Sequence, residues 1–273
     1  MKKKKRNKRR RGIYVLPNLF TSASLFSGFY AIVAAMEGRF EAAAVAIMIS
    51  ALLDGLDGRI ARLTNTASHF GVEYDSLADV IAFGVAPGIL AFQWALKPFG
   101  RLGWLAAFMF VICGALRLAR FNVQKSNEDV SHFKGLPIPA AAFFIASMVL
   151  LVESWEGSLE IRSAMIIVII YILSFLMVST LHYFSFKKFD IRNRKPFNLL
   201  LSLILIAMII AYKPKVMLFV LIFAYVASGP VVTFYRLYRR IPFRRPAKSE
   251  AQEKGHGGGE GGEDAEKVWG KKN

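Results

Sequence analysis

Four aspartates set among apolar residues are the first feature of this sequence that could do chemistry. In "LLDGLDGRIARLTNTASHFGVEYDSLADVIAFG", residues 52–84, they stand as two pairs, Asp54 with Asp57 and Asp75 with Asp79. A carboxylate is costly beside a membrane interior unless something compensates its charge. Residues three or four apart share one face of a helix, so each pair faces one way. An antiparallel helical hairpin can therefore point all four carboxylates into one space.

A metal site is the chemistry that such a cluster suits. Converging carboxylates repel one another unless cations neutralise them, and Mg²⁺ or Mn²⁺ prefers oxygen ligands. Gly58, Ala61 and Gly71 leave room for a ligand, and Arg62 offers a forked donor suited to phosphate. Together these residues predict a diphosphate site. The plainer alternative, solvated helix-end charges bridged to Arg59 and Arg62, is common for one acidic pair and uncommon for two.

Composition indicates which elements must position these residues. The chain has 273 residues, is 55% apolar and carries a formal net charge of +17, and its mean hydropathy is +0.40. An ordinary soluble domain is less apolar, and a nucleic-acid-binding protein is not apolar and basic at once, so we expect no nucleic-acid partner. The single cysteine, Cys113, lies in an apolar run and cannot form an intramolecular disulfide.

The apolar blocks predict an all-α integral membrane protein with about eight transmembrane helices. A span needs about 20 mostly apolar residues. We interpret the first block as a retained helix rather than a cleaved signal peptide, because it is long and punctuated by polar residues. The last two blocks are joined by "YKPK" and form a predicted hairpin. The blocks cover residues 13–36, 41–62, 76–96, 103–121, 137–155, 162–184, 197–212 and 214–235.

The distribution of basic residues predicts the orientation in the membrane. With eight spans both termini share one side, and the segments on that side hold 30 of the 36 lysines and arginines. The positive-inside rule therefore places both termini and the aspartates on the cytoplasmic side. The predicted domains are a basic cytoplasmic segment, a catalytic core, an additional hairpin and a disordered polar tail. They cover residues 1–12, 13–184, 185–240 and 241–273.

The acidic motif also carries a family resemblance. The spacing Asp54-x2-Asp57-Gly58-x2-Ala61-Arg62-x8-Gly71-x3-Asp75-x3-Asp79 resembles the complete signature of the CDP-alcohol phosphotransferases. The resemblance implies a membrane enzyme with a six-helix catalytic core, usually homodimeric. Such enzymes transfer a phosphatidyl or similar group from a CDP-linked donor to an alcohol and release CMP.

The resemblance also implies roles for individual residues. All four aspartates would hold two divalent metal ions, Mg²⁺ or Mn²⁺, and Asp79 would also be the general base. The nucleotide site would be lined from the motif and from "LPNLFT", which is similar to an element on the family's first helix. The implied nucleotide-binding residues are Asn18, Thr21, Gly58, Ala61, Arg62 and Gly71.

Two further segments point to the alcohol acceptor. "RLARFNVQ" and "FKGLPIPAAA" are similar to segments of the serine-using, phosphatidylserine synthase branch of the family. This implies CDP-diacylglycerol as donor and L-serine as acceptor, in the cytoplasmic membrane of a bacterium or archaeon. Glycerol 3-phosphate or an inositol phosphate stays open as acceptor. A divalent-cation transporter is the alternative from another class, although it would place its acids near the bilayer midplane.

Two arginines complete the predicted site. Arg117 and Arg120, three residues apart near the end of the fourth block, are predicted to face the cleft. There they would bind the lipid phosphate or the serine carboxylate; anchoring to anionic lipid is the alternative. Lys134 is interpreted as a solvated loop charge. His69 is placed in the polar connection "TNTASH", where a role as base is disfavoured.

Overall fold

The computed structural model describes residues 2–63, 68–125, 133–154, 159–183 and 212–240. These residues are almost entirely helical, which confirms the predicted all-α membrane class. Two short strands, β1 (Phe133–Lys134) and β2 (His182–Tyr183), pair antiparallel. The described helices are α1 (Lys2–Met36), α2 (Phe40–Leu63), α3 (His69–Phe99), α4 (Arg101–Lys125), α5 (Ile138–Glu153), α6 (Leu159–Val178) and α7 (Pro214–Arg240).

Four of the described helices are long and apolar enough to cross a membrane. They are α3, α4, the Pro17–Met36 part of α1 and the Pro214–Tyr235 part of α7. Two shorter apolar helices accompany them, α5 and the Met165–Val178 part of α6. Helix α2 has the length of a span, but it carries charged residues at both ends, including the first aspartate pair.

Helices α1 and α2 pack closely along a stripe of small polar residues. Ser24 Oγ lies 2.7 Å from Ser50 Oγ, and the Ser27 hydroxyl donates to the Ala46 carbonyl at 2.8 Å. Small side chains of this kind allow helix backbones to approach one another and form hydrogen bonds across the interface. The stripe repeats every three residues, so its next member towards the start of α1 is Thr21, which faces the acidic end of α2.

Helix α3 runs between α1, α2 and α4 and contains two wider π-helical stretches, Val80–Val85 and Phe92–Leu96. The first stretch begins directly after Asp79. Helix α3 passes so close to α1 that a Cβ at Gly28 would lie 2.7 Å from the Ala82 Cα. This contact fixes the depth at which α3 sits against the α1–α2 hairpin.

The first turn of α3 corrects the predicted start of the third helix. The helix begins at His69, whereas the apolar block predicted a start at residue 76. Ser68 is the N-cap, and its hydroxyl accepts a hydrogen bond from the Gly71 N–H at 3.0 Å. His69 is therefore the first residue of the helix, and its placement in the polar connection was wrong. Polar residues hid this turn from an analysis based on hydropathy.

The end of α6 corrects another predicted boundary. The helix ends at Val178, so the prediction that it continues to residue 184 was wrong. The Leu136 N–H donates to the Leu176 carbonyl at 3.0 Å, and the Gly135 N–H donates to the Leu181 carbonyl at 2.8 Å. Hydrogen bonds from a distant segment thus replace those that would continue the helix.

Only the second helix of the predicted C-terminal hairpin is described. It begins at Pro214, as the "YKPK" turn predicted, and continues to Arg240. The predicted block 197–212 lies outside the described residues except for its last residue. The predicted polar tail lies outside them entirely.

Candidate active site

The four aspartates converge at one end of the helical bundle. Asp54 and Asp57 lie near the end of α2, while Asp75 and Asp79 lie near the start of the antiparallel α3. Carboxylate oxygens of Asp54, Asp57 and Asp75 all lie within 4.8 Å of one another. Asp79 makes hydrogen-bonding contact with Asp54 and interacts electrostatically with the other two. The sequence prediction that both pairs share one space agrees with this geometry.

The donor set of this cluster fits a hard divalent cation. Asp57 is buried, with 4% of its surface exposed, and the other three aspartates are half-buried. Each contributes carboxylate oxygens. Mg²⁺ and Mn²⁺ prefer oxygen ligands, whereas softer metal ions prefer nitrogen and sulfur. The cluster could therefore hold a metal ion, whose charge would offset the mutual repulsion of the carboxylates.

Helix α1 supports the cluster from its side. The Thr21 hydroxyl is buried and donates to Asp57 Oδ2 at 2.8 Å. Asn18, one helical turn earlier, lies against the start of α3, where a Cβ at Gly71 would be 3.3 Å from Asn18 Oδ1. Asn18 therefore lies beside the first turn of α3, and Thr21 contacts the aspartate cluster directly through its hydrogen bond to Asp57. Hydrogen bonds of this kind orient metal-ligating carboxylates.

Open space lies beside the aspartates at Gly58. A Cβ built at this residue meets no atom within 4 Å. Gly71, by contrast, belongs to the capped first turn of α3, where its N–H donates to Ser68. Ala61 and Arg62 lie on the last turns of α2, and their side chains are outside what the structure describes. Gly58 is exposed, so the surface of α2 beside Asp57 leaves space that a ligand could occupy.

The two predicted arginines are placed differently. Arg117 interacts electrostatically with Asp79, and its Nε is buried with no hydrogen-bond partner among the residues that the structure describes. Arg120 donates from Nη1 to the Val178 carbonyl at 3.4 Å. Among the described contacts, Arg117 is thus linked electrostatically to the aspartate cluster, and Arg120 is linked to the end of α6. Lys134 lies in β1, and its side chain is outside the description.

Two polar contacts beside the site did not follow from the sequence. Ser22 Oγ and Tyr74 Oη lie 2.9 Å apart and join α1 to α3. The Asn122 side-chain amide donates to Ser76 Oγ at 2.9 Å and joins α4 to α3. Asn122 belongs to the singled-out segment "RLARFNVQ", but nothing in the sequence identifies its partner. These contacts hold the aspartate-bearing turns of α3 from both sides.

The sequence matches the model of a known enzyme family. The model of the CDP-alcohol phosphatidyltransferase family matches residues 14–177, and this chain belongs to that family. The chain is 48% identical over 179 residues to the CDP-diacylglycerol–serine O-phosphatidyltransferase of Helicobacter pylori, covering 64% of this chain and 74% of that protein. It is 38% identical over 170 residues to the archaetidylserine synthase of Methanothermobacter thermautotrophicus, covering 62% and 69%. It is 36% identical over 160 residues to the CDP-diacylglycerol–serine O-phosphatidyltransferase of Mycobacterium tuberculosis, covering 56% of each.

Proposed function

We propose that this protein transfers the phosphatidyl group of CDP-diacylglycerol to the hydroxyl of L-serine, giving phosphatidylserine and CMP. The observation that carries the proposal is the convergence of the four motif aspartates beside the opening at Gly58. The serine acceptor is supported by relatives named for serine transfer. Family membership also sets aside the cation-transporter alternative.

The proposed site holds its donor through the aspartates and the residues around them. Asp54, Asp57, Asp75 and Asp79 would hold two divalent ions, with Thr21 orienting Asp57. When bound, these ions neutralise the diphosphate oxygens and stabilise the CMP leaving group. The nucleotide would lie in the opening lined by Asn18, Thr21, Gly58, Ala61, Arg62 and Gly71.

Asp79 is the residue proposed to act on the acceptor. Its carboxylate takes the proton of the serine hydroxyl, and the serine oxygen forms a bond to the phosphorus that bears diacylglycerol. The bond from that phosphorus to the bridging diphosphate oxygen breaks, and CMP leaves with the electron pair. Arg117, which interacts electrostatically with Asp79, would bind an anionic group of either substrate, because a guanidinium fork suits carboxylate and phosphate alike. Arg120 stays the weaker candidate for this role.

The surroundings of the reaction follow from the same proposal. The acyl chains of the donor stay in lipid while serine enters from water, so the site must lie near a membrane surface. The excess of basic residues supports the cytoplasmic surface. Residues 13–184 would form the catalytic core, and the homodimer implied by the family resemblance stays a prediction.

A test of the proposal is CMP release by the purified protein in detergent. CDP-diacylglycerol would be offered with serine, glycerol 3-phosphate or an inositol phosphate in separate reactions, with the lipid product identified by mass spectrometry. We expect CMP release and phosphatidylserine with serine alone. If CMP release depends on one of the phosphorylated alcohols and not on serine, that alcohol is the acceptor, and the reaction class is unchanged.

A further inference from the structure

A groove runs between α1 and α2 on the exposed side of this helix pair. It has a volume of about 650 Å³. Its walls carry exposed apolar side chains from both helices, Phe26 of α1 and Val45 and Ile49 of α2. Small residues form its floor, where the Ser27 hydroxyl contacts the backbone of Ala46. A concave apolar surface of this kind suits an apolar ligand.

The polar groups that line the groove already have hydrogen-bond partners. The Ser27 hydroxyl donates to a carbonyl of α2 at 2.8 Å. Tyr30 Oη accepts from Arg39 Nη1 at 3.2 Å, and Glu41 Oε1 accepts from Lys215 Nζ at 2.6 Å. Because protein groups satisfy these atoms, the groove offers a ligand mainly apolar surface. That chemistry suits a hydrocarbon chain better than a polar molecule such as serine.

One end of the groove reaches the aspartate cluster. Leu53, the last lining residue on α2, directly precedes Asp54. It also lies four residues before Asp57, so the two share a helix face. On α1, the lining residue Ala23 lies two residues after Thr21, which donates to Asp57. A chain in the groove would therefore begin beside the carboxylates to which the proposed function assigns the diphosphate.

The other end of the groove carries two polar contacts. They are the hydrogen bond from Arg39 to Tyr30 and the ion pair between Lys215 and Glu41. From Glu41 to Leu53 the axis of α2 rises about 18 Å, at about 1.5 Å per residue. An extended hydrocarbon chain advances about 1.3 Å per methylene with C–C bonds of about 1.5 Å, so this length accommodates about 14 methylene groups.

We propose that the α1–α2 groove binds one acyl chain of the lipid donor and sets the chain length that the enzyme uses best. This inference rests on the proposed function. Lipid tails are as apolar as the groove, so burial alone provides little driving force in a membrane. The benefit comes from contacts along the walls and from a fixed chain that orients the donor's phosphorus towards the aspartates. The polar contacts at the far end limit the length, because a longer chain would desolvate charged groups.

Photo-cross-linking of the wild-type protein tests the occupant directly. The probe is CDP-diacylglycerol with a diazirine near the end of one acyl chain, offered in detergent with divalent metal and without serine. We expect labelled peptides from the groove, around Tyr30 and Val45, and suppression of this labelling by excess unlabelled donor. Labelling that unlabelled donor does not suppress, or that falls only on other helices, would overturn the proposal.

A cysteine in the groove tests the competing occupant, a second copy of the chain. The donor is favoured over a second copy because the groove leads to the aspartates. Ile49→Cys would be made in a Cys113→Ser background and treated with a mild oxidant, and we expect no disulfide-linked dimer. Efficient dimer formation through this cysteine would assign the groove to an interface between copies and contradict the proposal.

Ala42→Phe tests the limit on chain length. Ala42 lines the groove near its polar end, so a phenyl group there would occupy the space of the last methylene groups. We expect kcat/KM for a dipalmitoyl donor to fall about tenfold relative to a dioctanoyl donor, the size typical of discrimination in an apolar pocket. Leu52→Phe is the matched control, because Leu52 is exposed on the same helix and lies outside the groove lining. Its ratio should stay within about twofold of wild type.

The outcomes distinguish this inference from the proposed function. An Ala42→Phe enzyme that keeps its dioctanoyl turnover and an unchanged chain-length ratio would refute the length limit. If Ala42→Phe is inactive with both donors because it does not fold, Val45→Trp, at a more exposed wall residue, provides the deciding ratio. A wild-type protein that releases no CMP from either donor would instead refute the proposed function, whatever the cross-linking shows.

Discussion

Asp79 differs from the other three aspartates in the role proposed for it. All four carboxylates lie close together, and Asp79 also interacts electrostatically with Arg117, the residue proposed to bind an anionic group of a substrate. The division of labour among the aspartates can be tested by substitutions that keep their size.

Replacement of Asp79 with asparagine should remove activity that metal cannot restore. The amide keeps one ligand oxygen but cannot accept the serine proton, and loss of a general base typically costs about 10²–10⁴ in rate. Replacement of Asp54, Asp57 or Asp75 with asparagine should instead weaken metal binding, so a high metal concentration should recover part of the lost turnover. Steady-state rates over a metal titration compare the four variants. Turnover of Asp79→Asn above about a tenth of wild type would assign the base elsewhere, with His69 the next side chain to test.

Gly58 offers a test of the opening beside the cluster. A methyl group at this residue meets no protein atom within 4 Å, and alanine stabilises a helix by about 0.5–1 kcal/mol over glycine. Gly58→Ala should therefore fold at least as stably as wild type while losing CMP release, because the methyl occupies nucleotide space. Gly55→Ala is the matched control, since Gly55 lies on the same helix and is equally unobstructed.

The measurements for these two variants are thermal unfolding in detergent and the KM for CDP-diacylglycerol. Gly55→Ala should keep a KM within about twofold of wild type. A Gly58→Ala enzyme with normal donor KM and kcat would mean that the nucleotide lies on another side of the aspartates.

Helix α1 contributes to the site through the Thr21 hydroxyl, which also lies 3.2 Å from the Pro17 carbonyl of its own helix. Thr21→Val keeps the shape of the side chain but loses the hydroxyl that donates to Asp57. Loss of such a supporting hydrogen bond typically costs about 10–100-fold in metal affinity or activity. We expect the Mg²⁺ or Mn²⁺ concentration for half-maximal rate to rise accordingly, and Thr21→Ser to restore it. An unchanged metal dependence in Thr21→Val would limit Thr21 to helix packing.

At the scale of helices, the sequence predicted which helices are present more accurately than where each one begins and ends. Seven of the eight apolar blocks correspond to described helices, because burial in a membrane imposes long apolar runs; the block 197–212 lies outside the described residues except for its last residue. The start of α3 was missed because a serine cap, and not hydropathy, begins the helix at His69. The end of α6 was missed because backbone groups of Gly135 and Leu136 take over its hydrogen bonds.

For the site as well, the sequence predicted the features that depend on local spacing and missed those that depend on contacts between distant residues. The two aspartate pairs could be predicted because residues three and four apart share a helix face whatever the tertiary fold. The contact of Asn122 with Ser76 could not, because 46 residues separate them in sequence. A single polar residue near the end of an apolar helix carries no signal that identifies its partner.

At the scale of the whole molecule, the aspartates lie at one end of the bundle, and the proposed function predicts that this end faces the cytoplasm. The far end is held by separate contacts, such as the ion pair between Lys215 and Glu41 at 2.6 Å. A reporter in the α1–α2 turn near Arg39 should label from outside the cytoplasm, and one near His69 from inside. Accessibility of single introduced cysteines in a Cys113→Ser background measures this. The reverse labelling would overturn the orientation based on basic residues.

The central claim, that the aspartates act through divalent metal ions to transfer a phosphatidyl group to serine, is tested most directly by removing the metal. Serine-dependent CMP release would be measured in the purified protein before chelation, after exhaustive chelation and after readdition of Mg²⁺ or Mn²⁺. We predict that chelation abolishes release and that either ion restores it together with phosphatidylserine formation. Undiminished release after exhaustive chelation would contradict the account.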